Sequence, residues 1–172
     1  MANVYWACRD LDGWAFAGNH QFILIYLTAN ENLLQTGTNT ENTNKFATLG
    51  GHNGSGNLIL IANQTADVES VREVYKKFVS TVFDYDLEEH KITPPDGSGW
   101  SFALKVEQLA YNYVRNTATN PQPYGLQDLN CATWVNTLLK VAGVPASERA
   151  TLGEFSGIDW GEEDLLDESL FK

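Results

Sequence analysis

The sequence predicts an α+β fold in which an antiparallel sheet comes first and helices pack against it. Three observations carry this. Apolar runs or strand-like stretches occupy Val4–Cys8, Gln21–Leu27, Lys45–His52 and Asn57–Asn63, all in the first part of the chain. Helical spacing of apolar residues appears only afterwards, over Asp67–Val82, Trp100–Asn116 and the stretch after Asn130. No internal repeat and no linker interrupts the order, so residues 1–172 are expected to form one domain.

Taken in order, Val4–Cys8 is a short apolar strand, and Arg9-Asp10-Leu11-Asp12-Gly13 is expected to turn. Gln21–Leu27 is too continuously apolar to have a solvated face, which places it inside the sheet. Thr28 to Asn44 is dominated by Asn, Thr and Gly and reads as a long loop able to cover a site. Lys45–His52 is a strand ending in the pair Gly50-Gly51; Asn53-Gly54-Ser55-Gly56 is a hairpin turn into Asn57–Asn63.

The helix Asp67–Val82 carries Val68, Val71, Tyr75, Phe78, Val79 and Val82 on one face, with Glu69, Arg72, Glu73 and Lys76 opposite. Asp84–Gly99 is an acidic loop with a short strand expected near His90–Thr93. Trp100–Asn116 is a second helix with Phe102, Val106, Leu109 and Tyr113 in register. Thr117–Gln127, with Pro121 and Pro123, is irregular.

The third helix begins with Cys131 in its first turn. Trp134, Val135, Leu138, Leu139 and Ala142 form its apolar stripe, Asn130 or Asp128 caps its N-terminus, and Gly143 stops it. From Glu148 onward the chain is acidic. It nevertheless holds Phe155, Ile158, Trp160, Leu165, Leu166, Leu170 and Phe171, which predicts that the C-terminal stretch packs back onto the domain.

Eleven Lys and Arg against 22 Asp and Glu give a formal charge of −11. That argues against nucleic acid or an anionic membrane surface as partner, since both recruit Lys and Arg. No apolar run approaches membrane-spanning length, so stable membrane insertion is not expected. Cys8 and Cys131 are too few for a disulfide framework, although a single bridge between them stays open. No secretory signal is legible at Met1-Ala2-Asn3-Val4. The expectation is synthesis in the cytoplasm, with any work outside it depending on a specialised exporter or on lysis.

Chemistry is expected where Cys131, His20 and His52 converge. His20 begins one strand and His52 ends another. Antiparallel pairing would make them neighbours at one edge of the sheet. A thiol in the first turn of a helix feels the positive end of the macrodipole, which favours the thiolate, and the same turn offers N–H groups to an oxyanion. With an imidazole as base, that is an activated nucleophile. Each residue also has a plainer reading. Cys131 would be a small buried hydrophobe, His20 a strand-end side chain bonded to backbone, and His52 an exposed turn residue. Two histidines and the thiol could instead ligate zinc, with water fourth, but no close-spaced ligand pair supports this, and neither metal nor cofactor is assigned. His90 is read as surface and Cys8 as a strand residue without a role.

The blocks Gly18-Asn19-His20-Gln21-Phe22-Ile23-Leu24-Ile25 and Leu129-Asn130-Cys131-Ala132-Thr133-Trp134-Val135 resemble the NlpC/P60 superfamily of papain-like cysteine hydrolases. The order, histidine strand before cysteine helix, resembles its circularly permuted branch, which includes lecithin:retinol acyltransferase-like proteins. The resemblance covers about a third of the chain. It departs from the family in having Asn-Cys-Ala at the helix start, where the ordinary branch has Asp-Cys-Ser, and in the long connection between the histidine-bearing strands.

The resemblance implies a papain-like NlpC/P60 fold with Cys131 as nucleophile, His20 as base and His52 as orienter. Asn63 or Gln64 are alternatives for the third role. Tyr124, Asn130 and Asn19 are the implied substrate-binding residues. It also implies an amidase or endopeptidase acting through a thiol acyl-enzyme, with peptidoglycan peptide as the leading substrate. A secreted antibacterial effector of this kind would have a delivery or immunity protein as partner. Other substrates fitting the same chemistry are a protein, for a protease or deamidase, and a lipid, for an acyltransferase. A binding module that keeps the fold without turnover is the non-enzymatic alternative. It predicts a buried and unreactive Cys131 thiol, where the enzyme predicts one that alkylates quickly at pH 6.

Overall fold

A computed structural model describes residues 2–11, 19–27, 33, 35, 45–75, 87–125, 129–155 and 165–172. It is an α+β structure with a six-stranded antiparallel sheet. The strands are β1 (Ala2–Asp10), β2 (Asn19–Leu27), β3 (Lys45–Gly54), β4 (Asn57–Ala62), β5 (Glu88–Lys91) and β6 (Gln122–Pro123). Their spatial order is β5-β1-β2-β3-β4-β6. The described helices are α1 (Thr65–Tyr75), α2 (Gly99–Thr117), α3 (Cys131–Ala142) and α4 (Ala146–Leu152), followed by a 3-10 turn at Glu168–Phe171. Among the described residues, no helix is long and apolar enough to cross a membrane.

The two faces of the sheet are covered separately, and this explains the unbroken apolar run of β2. Side chains alternate along a strand. Ile23, Ile25 and Leu27 pack with Phe102, Val106 and Tyr113 of α2 and with Trp134, Val135 and Leu138 of α3. Phe22, Leu24 and Tyr26 pack on the other face with Phe46 of β3 and with Val68 and Val71 of α1. Each large side chain buried this way contributes roughly 1.5–3 kcal/mol, so both layers are firmly held. The C-terminal stretch does return to the core: Leu166 and Phe171 are buried against the α2–α3 side, as is Phe155.

Most elements fall where the sequence places them. Strand β6 lies within Thr117–Gln127, which was expected to be irregular, α4 was not anticipated, and four further corrections follow. Strand β1 runs through Arg9 and Asp10, which were expected to turn, because both pair with β2 at His20 and Asn19. Strand β3 does not end at its glycine pair but continues to Gly54. The hairpin is the two-residue turn Ser55-Gly56, with φ of 54° and 86°. Helix α1 starts at Thr65 rather than Asp67; residues 76–82 of the expected helix lie outside the described residues. His90, expected at the surface, is half-buried. It lies on β5, stacks on Phe155 at 4.7 Å, and its Nδ1 is 2.6 Å from the Leu152 carbonyl oxygen. The Thr28–Asn44 stretch, expected as a long loop able to cover a site, lies outside the described residues except for Leu33 and Gln35. Both cysteines are free thiols.

One departure from regular pairing positions the site. The β2–β3 ladder begins at Ile23 opposite Leu49. Towards Asn19 on β2 and Gly54 on β3, each strand instead pairs with its other neighbour. The N-terminus of α3 sits at this parting. A Cβ on Gly51 would lie 2.8 Å from Cβ of Trp134, so only glycine lets the helix approach so closely.

Candidate active site

Helix α3 delivers Cys131 as its first residue. Asn130 is the N-cap, its Oδ1 accepting from the N–H groups of Ala132 at 2.9 Å and Thr133 at 3.2 Å. At the other end Gly143 takes a left-handed φ of 100°, and its N–H caps the carbonyls of Leu139 and Lys140. The helix is therefore fixed at both ends, with Trp134, Val135, Leu138 and Leu139 fully buried between them.

The Cys131 sulfur reaches the backbone of β2 at the parting of the strands. It accepts from the Gln21 N–H at 3.5 Å and lies 3.8 Å from the Asn19 carbonyl oxygen. It thus meets the strand on both sides of His20. Gln21 turns its own side chain to the α3 side, where its Oε1 accepts from Trp6 Nε1 at 2.8 Å. By strand alternation His20 projects to the α1 face, where its ring stacks on Phe22 at 5.9 Å.

On that face His20 and His52 come together as the antiparallel pairing predicts, with ring centroids 4.2 Å apart. Both converge on a residue that the sequence reading used only as the start of a helix. Asp67, in the first turn of α1, has Oδ1 3.5 Å from Nε2 of His20 and Oδ2 3.4 Å from Nε2 of His52. Its Oδ1 also accepts from Nε of Arg9 at 2.8 Å. Gly50 makes room for the group: a Cβ there would lie 2.9 Å from Nε2 of His52 and 3.1 Å from Nε2 of His20.

The turn before α1 aims Asp67. Asn63, at a φ of 52°, accepts from the Thr48 N–H through Oδ1 at 3.0 Å. Gln64 Oε1 accepts from the Asp67 N–H at 3.0 Å. The two residues held as alternatives for the third role are thus engaged in building this turn.

The electrostatics follow from burial and charge. Burial pushes the His20 imidazole below its ordinary value; Asp67 opposes this, while His52 and Arg9 add to it. The result favours a neutral ring. Burial alone would raise the Asp67 carboxyl. The polar contacts with His20 and His52, with the charges of His20 and Arg9, hold it well below the usual carboxylate range.

The implied substrate-binding residues are placed as follows. Tyr124 follows β6, half-buried, and its phenol is pushed up to about 12 by burial and by the neighbouring Cys131 charge. Asn19 lies at the head of β2 with its carbonyl near the sulfur. Asn130 is 5% exposed, and its side-chain oxygen is committed to the cap. A cavity of about 450 Å³ opens between Trp6, Asn136, Arg149 and Glu154, and none of the three catalytic candidates lines it.

Sequence reasoning missed Asp67 and Arg9. An acidic residue in the first turn of a helix is ordinary, so Asp67 gave no signal of its own. The chain matches no protein-family model, no curated protein and no solved structure.

Proposed function

We propose that the chain is a cysteine hydrolase of papain-like, permuted NlpC/P60 type that cleaves an amide bond through a thiol acyl-enzyme. The observation that carries the reading is the seat of Cys131. Its sulfur, at the start of α3, touches the backbone on both sides of His20, and that imidazole is backed by a buried, ionised Asp67.

The roles follow from this arrangement. His20 presents Nε2 to Asp67, so Nδ1 is the nitrogen left to accept the thiol proton in this reading. The thiolate attacks the carbonyl carbon. The oxyanion is met by the N–H of Cys131 at the start of α3. His20 returns the proton to the leaving amine, giving a thioester. Water, deprotonated by His20, then attacks the thioester and releases a carboxylic acid and the thiol. Asp67 orients the imidazole and stabilises its transient positive charge, the part assigned from sequence to His52. His52 joins from the other carboxylate oxygen. Tyr124, beside the sulfur, lines the substrate groove in this reading.

The leading substrate is a peptide amide of peptidoglycan, with a delivery or immunity protein as the corresponding partner. The test is digestion of purified sacculi by wild type and by Cys131→Ala, with products read by mass spectrometry, alongside iodoacetamide labelling at pH 6. New muropeptides from wild type alone are expected. Intact sacculi with fast labelling of Cys131 would move the enzyme to another amide substrate. Intact sacculi with an unreactive thiol would overturn the hydrolase in favour of a binding module.

A further inference from the structure

The geometry points to a binding site for a zinc-class divalent cation formed by Nε2 of His20, Nε2 of His52 and Oδ2 of Asp67, whose occupancy switches the enzyme off. The inhibitory part rests on the hydrolase reading; the binding site does not.

Five observations converge. The three residues each bring one ligand atom, all within 4.8 Å of one another. The three named atoms are all buried, and the imidazole–carboxylate contacts of 3.4–3.5 Å are too poorly aligned to be good hydrogen bonds, so each is only partly satisfied. His20 and Asp67 are 4% and 0% exposed, so these atoms point into the protein. The His52 Nε2–Asp67 Oδ2 separation of 3.4 Å is close to the edge of a tetrahedron whose centre binds its ligands at roughly 2.0–2.2 Å. Finally, Gly50 sets no side chain against the two Nε2 atoms, to which a Cβ there would lie 2.9 Å and 3.1 Å away.

The donor set selects the ion. Two imidazoles and one carboxylate suit zinc and its neighbours, with a fourth position left for water, whereas magnesium and calcium prefer all-oxygen shells. Arg9 holds Oδ1 of Asp67 and leaves Oδ2 to bind as a single oxygen ligand. The guanidinium charge also opposes a dication, so binding is expected to be reversible rather than structural. The zinc set weighed from sequence used the Cys131 thiol as third ligand. Here Asp67 takes that place, and Cys131 is not one of the three.

Inhibition follows from proton placement. With Nε2 of His20 bound to the metal, the neutral ring carries its proton on Nδ1. No basic nitrogen is then left to accept the thiol proton.

The test is titration of the purified full chain with zinc chloride by calorimetry, with magnesium chloride as control, and X-ray absorption on the zinc-loaded protein. One zinc per chain is expected, with a shell of nitrogen and oxygen only, and no binding of magnesium. His52→Ala and Asp67→Asn, checked for folding by circular dichroism, should bind zinc at least about tenfold more weakly, a loss that even an outer-shell partner can bring. Cys131→Ala should bind as wild type. Sulfur in the shell, loss of binding in Cys131→Ala, or unchanged binding in folded His52→Ala would overturn the site. If zinc binds but leaves wild-type hydrolysis unchanged, the switch falls and the hydrolase stands. If zinc binds and no chemistry depends on Cys131, the hydrolase falls and the metal site stands.

Discussion

Nε of Arg9 lies 2.8 Å from Oδ1 of Asp67, and the two side chains are 6% and 0% exposed. Strand β1 and helix α1 are thereby tied across 58 residues of sequence by a buried ion pair. The pair holds the carboxylate that the histidines share. Buried ion pairs are costly to break from one side, because the remaining charge loses its partner in a medium that solvates it poorly.

Arg9→Met is therefore expected to lower unfolding free energy by about 3–5 kcal/mol, read from urea denaturation. Adding Asp67→Asn to Arg9→Met should recover part of that loss, since the uncompensated charge is gone. A double variant less stable than Arg9→Met would show that the loss does not come from the orphaned carboxylate.

Acid should destabilise the protein in two stages. His20 is held below its ordinary value of 6.5, chiefly by burial, so the unfolded chain binds a proton there before the folded one does. Stability is full above about 6.5 and falls as pH drops through that value. Asp67 is held far below its ordinary 3.8, against the effect of burial, by His20, His52 and Arg9. Its contribution is full above about 4 and is lost on further acidification. Urea unfolding measured between pH 8 and pH 3 should show both limbs, and His20→Gln should remove most of the upper one. A wild-type curve that is flat from pH 8 to pH 5 would contradict this.

Asn130 separates a capping role from a substrate contact. Asn130→Ala should cost about 1 kcal/mol in stability and impair turnover by loosening the turn that carries Cys131. Asn130→Asp supplies an equivalent cap and should restore the melting temperature. Activity restored together with stability supports the cap; stability restored without activity would make the side-chain amide a substrate contact.

Much of the fold could be read from local pattern. The unbroken apolar run Gln21–Leu27 announced a strand covered on both faces, and β2 lies inside the sheet with cores on either side. Asn130 before Cys131 and Gly143 after Ala142 bracketed α3 correctly because capping is a property of a few neighbouring residues. His20 at the head of one strand and His52 near the end of the next were expected to meet if the strands were antiparallel, and their rings are neighbours. Each of these rests on residues close in sequence or on the period of a single element.

The sequence by itself thus determined the α+β class, the antiparallel neighbourhood of the two histidines and the capped helix that begins with Cys131. Only the tertiary structure decided on which face each group lies and what stands beside it. Asp67 looked like any acidic residue opening a helix, Arg9 like part of a turn, and Gly50-Gly51 like a strand end. Packing α1 against one face of the sheet buried Asp67 beneath the imidazoles, and packing α3 against the other required Gly51 beneath Trp134. The physical reason is that burial and charge pairing depend on elements remote in sequence, whereas propensity, alternation and capping are local.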